Sequence, residues 1–139
     1  MMKARIAAAS LLLAGMLASG LASAQPGQGV RPVRVGLAGA DMDACLSLAE
    51  VRGLDRHGDN FLTVRARPQR VAPALGRLRT GQQVWVCDGD AVTGWTGIVY
   101  AEEPGQECNV GSPVPSIRPY AGACRQGWVA SRYLVVIAG

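Results

Sequence analysis

In 139 residues the chain has one histidine, one lysine and one phenylalanine, and seven aromatic residues in all. Each scarcity removes a class of function. His57 stands in "DRHGDN", where a solvated turn side chain is the ordinary reading and a general base the exceptional one. The lysine is Lys3, so a chain that sheds its N-terminus has no lysine for catalysis. There is no G-x-S-x-G, no H-E-x-x-H and no phosphate-cradling glycine loop. No C-x-x-C knuckle starts a zinc site. Asp55, His57 and Asp59 alternate as the ligands of a calcium loop do, but the spacing and the missing distal glutamate break that pattern. No catalysis, metal or cofactor is therefore expected. Beyond residue 24 no apolar run approaches the roughly 20 residues that span a bilayer. Nor does any later stretch hold a helical period over three turns, and Pro68, Pro73, Pro104, Pro113, Pro115 and Pro119 interrupt several candidates.

The N-terminus is the one long apolar stretch. Lys3 and Arg5 precede an almost wholly small or apolar run, and Ala22 and Ala24 supply small residues at the −3 and −1 positions of a cleavage before Gln25. Residues 1–24 are expected to be a signal peptide, which makes the protein periplasmic or secreted. Cleavage takes Lys3 and Arg5 from fourteen basic residues and leaves twelve against ten acidic, a net charge of +2. That is too mild to argue for nucleic acid, and a monomer is expected. The remaining 115 residues suffice for one domain with a single core. Four cysteines, Cys45, Cys87, Cys108 and Cys124, form an even set in an exported chain, which reads as two disulfides rather than as nucleophiles. Three pairings are possible, and spacing favours Cys108 with Cys124 and Cys45 with Cys87.

Residues 25–44 are rich in glycine and proline without a period, and a flexible arm is expected there. Strand signals follow over residues 45–139. "AEVRGL" alternates, "DRHGDN" turns, and "FLTVR" resumes as an extended run. "QQVWVC" places Val84 and Val86 on one face with Trp85 and Cys87 on the other. "DGD" then turns the chain and "GWTGIVY" runs back. At the end, "GWVASRYLVVIAG" gives a strand, a tight turn through Ala130–Arg132, and a last strand. The expected class is all-β, a small barrel or sandwich.

The series "LTVRARP", "ALGRLRTGQQVWVC", "GWTGIVY" and "GWVASRYL" resembles the bacterial SH3-like (SH3 type 3) domain family in motif order and spacing, over about residues 49–136. The resemblance implies a small SH3-like barrel over residues 45–139, with Val64 pointing inward, Arg65 outward and Pro68 opening a loop. It also places Gly81 in a tight turn that needs positive φ. Two departures stand out. Ala66 and Arg67 replace a small residue and glycine before the proline. And "AEEPGQECNVGSPVPSIRPYAGACRQ" stands where the family has a short hairpin. A loop so long is functional or disordered in most domains, and cysteines near its ends suggest a disulfide-closed, ordered insertion.

Seven aromatics cannot all be core in so small a barrel. Phe61 and Trp128 are expected inside, while Trp95, Tyr100 and Tyr120 form an exposed platform, since a ring beside arginine suits sugars or extended peptides. Trp85 is left unplaced. Arg67, Arg118 and Arg132 are candidates to clamp a carboxylate. The resulting expectation is a non-enzymatic exported module that recognises peptidoglycan or cell-wall peptide, as relatives of the family commonly do. The alternative is an inhibitor or accessory subunit that contacts an envelope protein through the insertion.

Overall fold

The computed structural model describes Gly20 and residues 29–90 and 92–139. Apart from Gly20, the expected signal peptide and the first residues of the expected arm, 25–28, lie outside the described residues. Among the described residues nine strands are formed: β1 (Arg34–Val35), β2 (Ser47–Val51), β3 (Leu62–Arg65), β4 (Ala74–Leu78), β5 (Gln83–Asp90), β6 (Trp95–Tyr100), β7 (Arg118–Pro119), β8 (Arg125–Ala130) and β9 (Leu134–Ala138). A 3-10 turn, Ser131–Tyr133, links β8 to β9. The class is all-β, as the alternating segments indicate. Seven strands make one antiparallel sheet in the order β4-β3-β8-β6-β5-β2-β9, and β1 pairs with β7 in a second. Among the described residues no ladder joins β4 to β9, so the sheet is open and the barrel closure expected from the sequence is not formed.

β5 shows how the sequence builds this sheet. Val84 and Val86 face one cluster, made chiefly of Val51, Leu62, Val64, Leu78, Ile98 and Val129. Trp85 and Cys87 face another, built around Val33, Val99, Val110, Tyr120 and Trp128. Consecutive side chains on β6 and β8 divide in the same way, Ile98 from Val99 and Trp128 from Val129. The central strands are thus buried on both faces, which is why "GIVY" and "GWVA" read as continuous apolar runs. Close approach has its own requirement. A Cβ on Gly127 would collide with Val64 and meet the Arg65 carbonyl oxygen at 3.0 Å, so β8 lies against β3 only because that residue is glycine.

"DGD" is not a turn. A bulge between Val86 and Asp88 shifts the register, and the ladder continues through Asp88↔Gly97, Gly89↔Thr96 and Asp90↔Trp95. The chain turns later, at Val92–Gly94, where Gly94 has φ 72°.

The second cluster covers the sheet's outer face, and the covering comes from the two segments hardest to read in sequence. The expected flexible arm is corrected for its described part: Val33 and Val35 are buried and β1 is held by β7. Arg31 N–H donates to the Ala66 carbonyl at 2.9 Å, Val33 N–H to Gln126 Oε1 at 3.0 Å, and Trp128 Nε1–H to the Arg31 carbonyl at 2.9 Å. Two inward valines between Pro32 and Gly36 are too short a pattern to register as a strand. The insertion forms the other part of the cover. Both disulfides pair as spacing favours, Cys45–Cys87 and Cys108–Cys124.

Asp88 is the only buried charged side chain among the described residues. Arg34 holds it in a fork, Nε to Oδ2 and Nη2 to Oδ1, both at 2.9 Å, and the Arg34 and Gly89 N–H groups donate to it at 3.1 and 2.8 Å. Burial pushes this carboxyl up, but the Arg34 side chain, the two N–H donors and the Arg34 charge outweigh it and hold it below the usual carboxylate range. Folding depresses the value, so the pair's contribution is complete above the unfolded value of about 4 and is lost as pH falls through the folded value. Asp88→Asn is expected to flatten the acid limb of the stability profile. Urea midpoints compared at pH 7 and below pH 3 check this: an unchanged difference between the two midpoints would show that Asp88 is not the group responsible.

Candidate groove on the uncovered outer face

Cover is incomplete, and what it leaves open is a groove. β3 pairs with β8 at Arg65↔Trp128, and β8 with β6 at Trp95↔Ala130. Continuing that antiparallel register sets Thr63, Ala130 and Trp95 in one row across three strands on the outer side. The next row contains Trp128, which the cover hides. The open row floors a groove of about 510 Å³, walled by Leu54, Asp55, Asp59–Phe61, Arg65, Arg70, Thr93, Gly94, Arg132 and Tyr133.

Local hydrogen bonds shape each wall. In the 54–61 turn the Asp55 carboxylate accepts from His57 N–H at 2.9 Å, and Asn60 takes a left-handed φ of 51°, which its short polar side chain tolerates. The loop after β3 is tied by Ala66 N–H to the Pro73 carbonyl at 2.9 Å and by Arg65 Nη1 to the Ala72 carbonyl at 3.1 Å. At the other side Ser131 N–H donates to the Gly94 carbonyl at 2.9 Å, and the Thr96 and Ser131 hydroxyls meet at 2.7 Å, joining the 92–94 turn to the 3-10 turn. Arg132 lies over the Tyr133 ring, 4.8 Å from its centroid, and reaches the phenol oxygen at 3.2 Å.

Three arginines elsewhere find carboxylates, Arg34 with Asp88, Arg52 with Glu50 and Arg125 with Glu102. In the groove Arg65, Arg70 and Arg132 face two aspartates, yet among the described residues none of the five belongs to an ion pair. No three metal-binding side chains cluster anywhere among the described residues.

The six expected ligand residues are not brought together. Trp95 and Arg132 share the groove. Tyr100 and Tyr120, expected as an exposed platform, are buried, with relative exposures of 5% and 7%. Tyr100 occupies an inward position of β6, and burial pushes its phenol up. Tyr120 is spent on the insertion: its hydroxyl donates to the Cys108 carbonyl at 2.9 Å and accepts from Cys124 N–H at 3.2 Å, bracing both ends of that disulfide. Arg67 is half-buried and donates to the Gly29 carbonyl at 2.9 Å, tying down the N-terminal segment. Arg118 is exposed on β7, against a separate cavity of about 340 Å³ beside Tyr120. Of the expected core aromatics, Trp128 is fully buried but under the cover, and Phe61 is only half-buried, with the Arg77 guanidinium 4.2 Å above its ring. Trp85 packs partly buried against the outer cluster. Arg70, Asp55, Asp59, Phe61 and Tyr133 were not expected in a site. The outward alternation of Thr63 and Arg65 on β3 was the one signal pointing to them.

Comparison with protein-family models, with curated proteins and with solved structures finds no match for this chain.

Proposed function

We propose that the protein is an exported, non-enzymatic SH3-like binding module whose groove holds a cell-wall peptide or peptidoglycan. The carrying observation is a floor of Trp95, Ala130 and Thr63 bordered by three guanidiniums that, among the described residues, belong to no ion pair. Guanidinium forks suit free carboxylates, and stem peptides present them. The motif order, with its strand, 3-10 turn and strand at the end, supports the SH3-like assignment. The two disulfides fit an oxidising compartment, and among the described residues no helix is long and apolar enough to cross a membrane. The groove's lining includes neither cysteine nor histidine, which favours holding a ligand over transforming it.

Co-sedimentation of residues 25–139 with purified sacculi at low and high salt tests this. Binding is expected at low salt and weakened at high salt. Trp95→Ala and Arg132→Ala are each expected to weaken it about tenfold, equivalent to about 1.4 kcal/mol. Absence of binding in both salts would sink the proposal and leave an envelope protein, docked on the exposed Ile117 and Arg118 of the insertion, as the better reading.

A further inference from the structure

We infer that the groove is polarised and reads a short extended peptide in one direction, with a free carboxylate at Arg65 and Arg70 and a primary ammonium at Asp55 and Asp59. This rests on the reading of the groove as a peptide site and adds the ligand's charge pattern and orientation.

The strand β3 provides the axis. Asp55 and Asp59 belong to the turn that enters β3, so both acids lie at its N-terminal end. Arg65 closes β3 and Arg70 belongs to the loop that leaves it, so both lie at the opposite end. From Phe61 to Arg65 the strand runs roughly 13 Å at about 3.3 Å per residue, which is the reach of about four extended residues. Arg132 stands to one side on the 3-10 turn and serves either orientation.

Opposite charges lining one groove on the same protein would ordinarily close on each other. Here they are kept apart: among the described residues Arg70 and Asp59 have no hydrogen-bonding or ionic partner, and Asp55 accepts only from the backbone of its own turn. Arg65 commits one nitrogen to the Ala72 carbonyl, which aims the guanidinium without neutralising it. A zwitterion laid along β3 answers both ends at once. A peptide with both termini blocked answers neither. Two sources offer this chemistry, cell-wall stem peptides cut from their glycan, with D-configured ends, and all-L fragments of proteins.

Titrations followed by Trp95 fluorescence, with Trp95→Phe as the control for the other tryptophans, provide the test. The probes are tetra-L-alanine with both ends free, its C-terminal amide and its N-acetyl form, and the same three made with D-alanine at the last two positions. The free peptide is expected to bind. Amidation is expected to weaken binding about tenfold in the native protein and not at all in Arg70→Ala. Acetylation should do the same in the native protein and nothing in Asp59→Asn. Both variants alter exposed side chains that have no partner among the described residues, so folding is not at stake. Binding indifferent to blocking, or amidation coupled to Asp59 and acetylation to Arg70, would overturn the orientation while leaving the groove a peptide site. If none of the six probes binds but sacculi do, the polarity falls alone; if neither binds, both readings fall. Tighter binding of the D-terminated set would assign the source to cell wall, and equal binding to peptides at large, each in keeping with the zwitterion.

Discussion

Trp128→Ala is expected to destabilise the protein by about 3–5 kcal/mol, a large share of the 5–15 kcal/mol that small domains have in total. The ring is fully buried between the sheet and the N-terminal segment. Two interactions and one close approach converge on it. Its Nε1–H satisfies the Arg31 carbonyl, the Arg31 guanidinium lies 4.5 Å from the ring centroid, and a Cβ on Gly97 would meet the ring at 3.3 Å. Alanine therefore leaves a cavity and a carbonyl that has lost its donor, directly under the segment that covers it. Trp128→Phe retains most of the apolar volume and loses only the donor, with an expected cost of about 1–2 kcal/mol. Urea unfolding of the two variants separates packing from hydrogen bonding. A loss below 1 kcal/mol for alanine would mean that the N-terminal segment settles on the sheet without this ring.

Removing the Cys45–Cys87 bridge, with serine at both positions, should do comparable damage. The bridges close separations of 42 and 16 residues, for which chain entropy alone gives about 4 and about 3 kcal/mol. Entropy thus separates them by only about 1 kcal/mol. All four cysteines are buried in the outer cluster, and location widens the gap differently: Cys45–Cys87 ties the segment entering β2 to the central strand β5, whereas Cys108–Cys124 closes the insertion on itself. The Cys108→Ser, Cys124→Ser pair should lower the melting temperature less and loosen residues 101–126 while the inner cluster persists. Calorimetry and hydrogen exchange check the order. Complete unfolding of the second double variant would contradict a local role for that bridge.

The sequence made the strands legible where one strand spoke for itself. The alternation of Val84, Trp85, Val86 and Cys87 predicted which side chains share a face, and the spacing in "GWVASRYL" predicted the turn between the last two strands. It failed where distant segments decide. Asp88 looks like a turn residue until Arg34, 54 positions away, supplies its counter-charge. Tyr120 looks like a ligand platform until its hydroxyl is seen to brace a disulfide. Of the groove only Trp95 and Arg132 were legible, for the same reason: both lie beside recognisable motifs. Arg70 and Asp59 enter only because β3 pairs with β8 and brings their loops beside the 3-10 turn.

The two edges of the large sheet are guarded unequally. β4 is preceded by Pro73 and carries Arg77, with Arg79 just beyond, and such residues discourage pairing with another chain. β9, "LVVIA", has no charge and no proline, and Val135, Val136 and Ile137 are exposed by 50, 60 and 43%. Among the described residues its only ladder is to β2. Refolding at high concentration is therefore a race between two orders of reaction: docking β9 on β2 within one chain proceeds at a rate independent of concentration, whereas pairing of two exposed β9 edges accelerates with it. Dilution favours the native sheet, and a single lysine at Val136 would give β9 the guard that β4 already has.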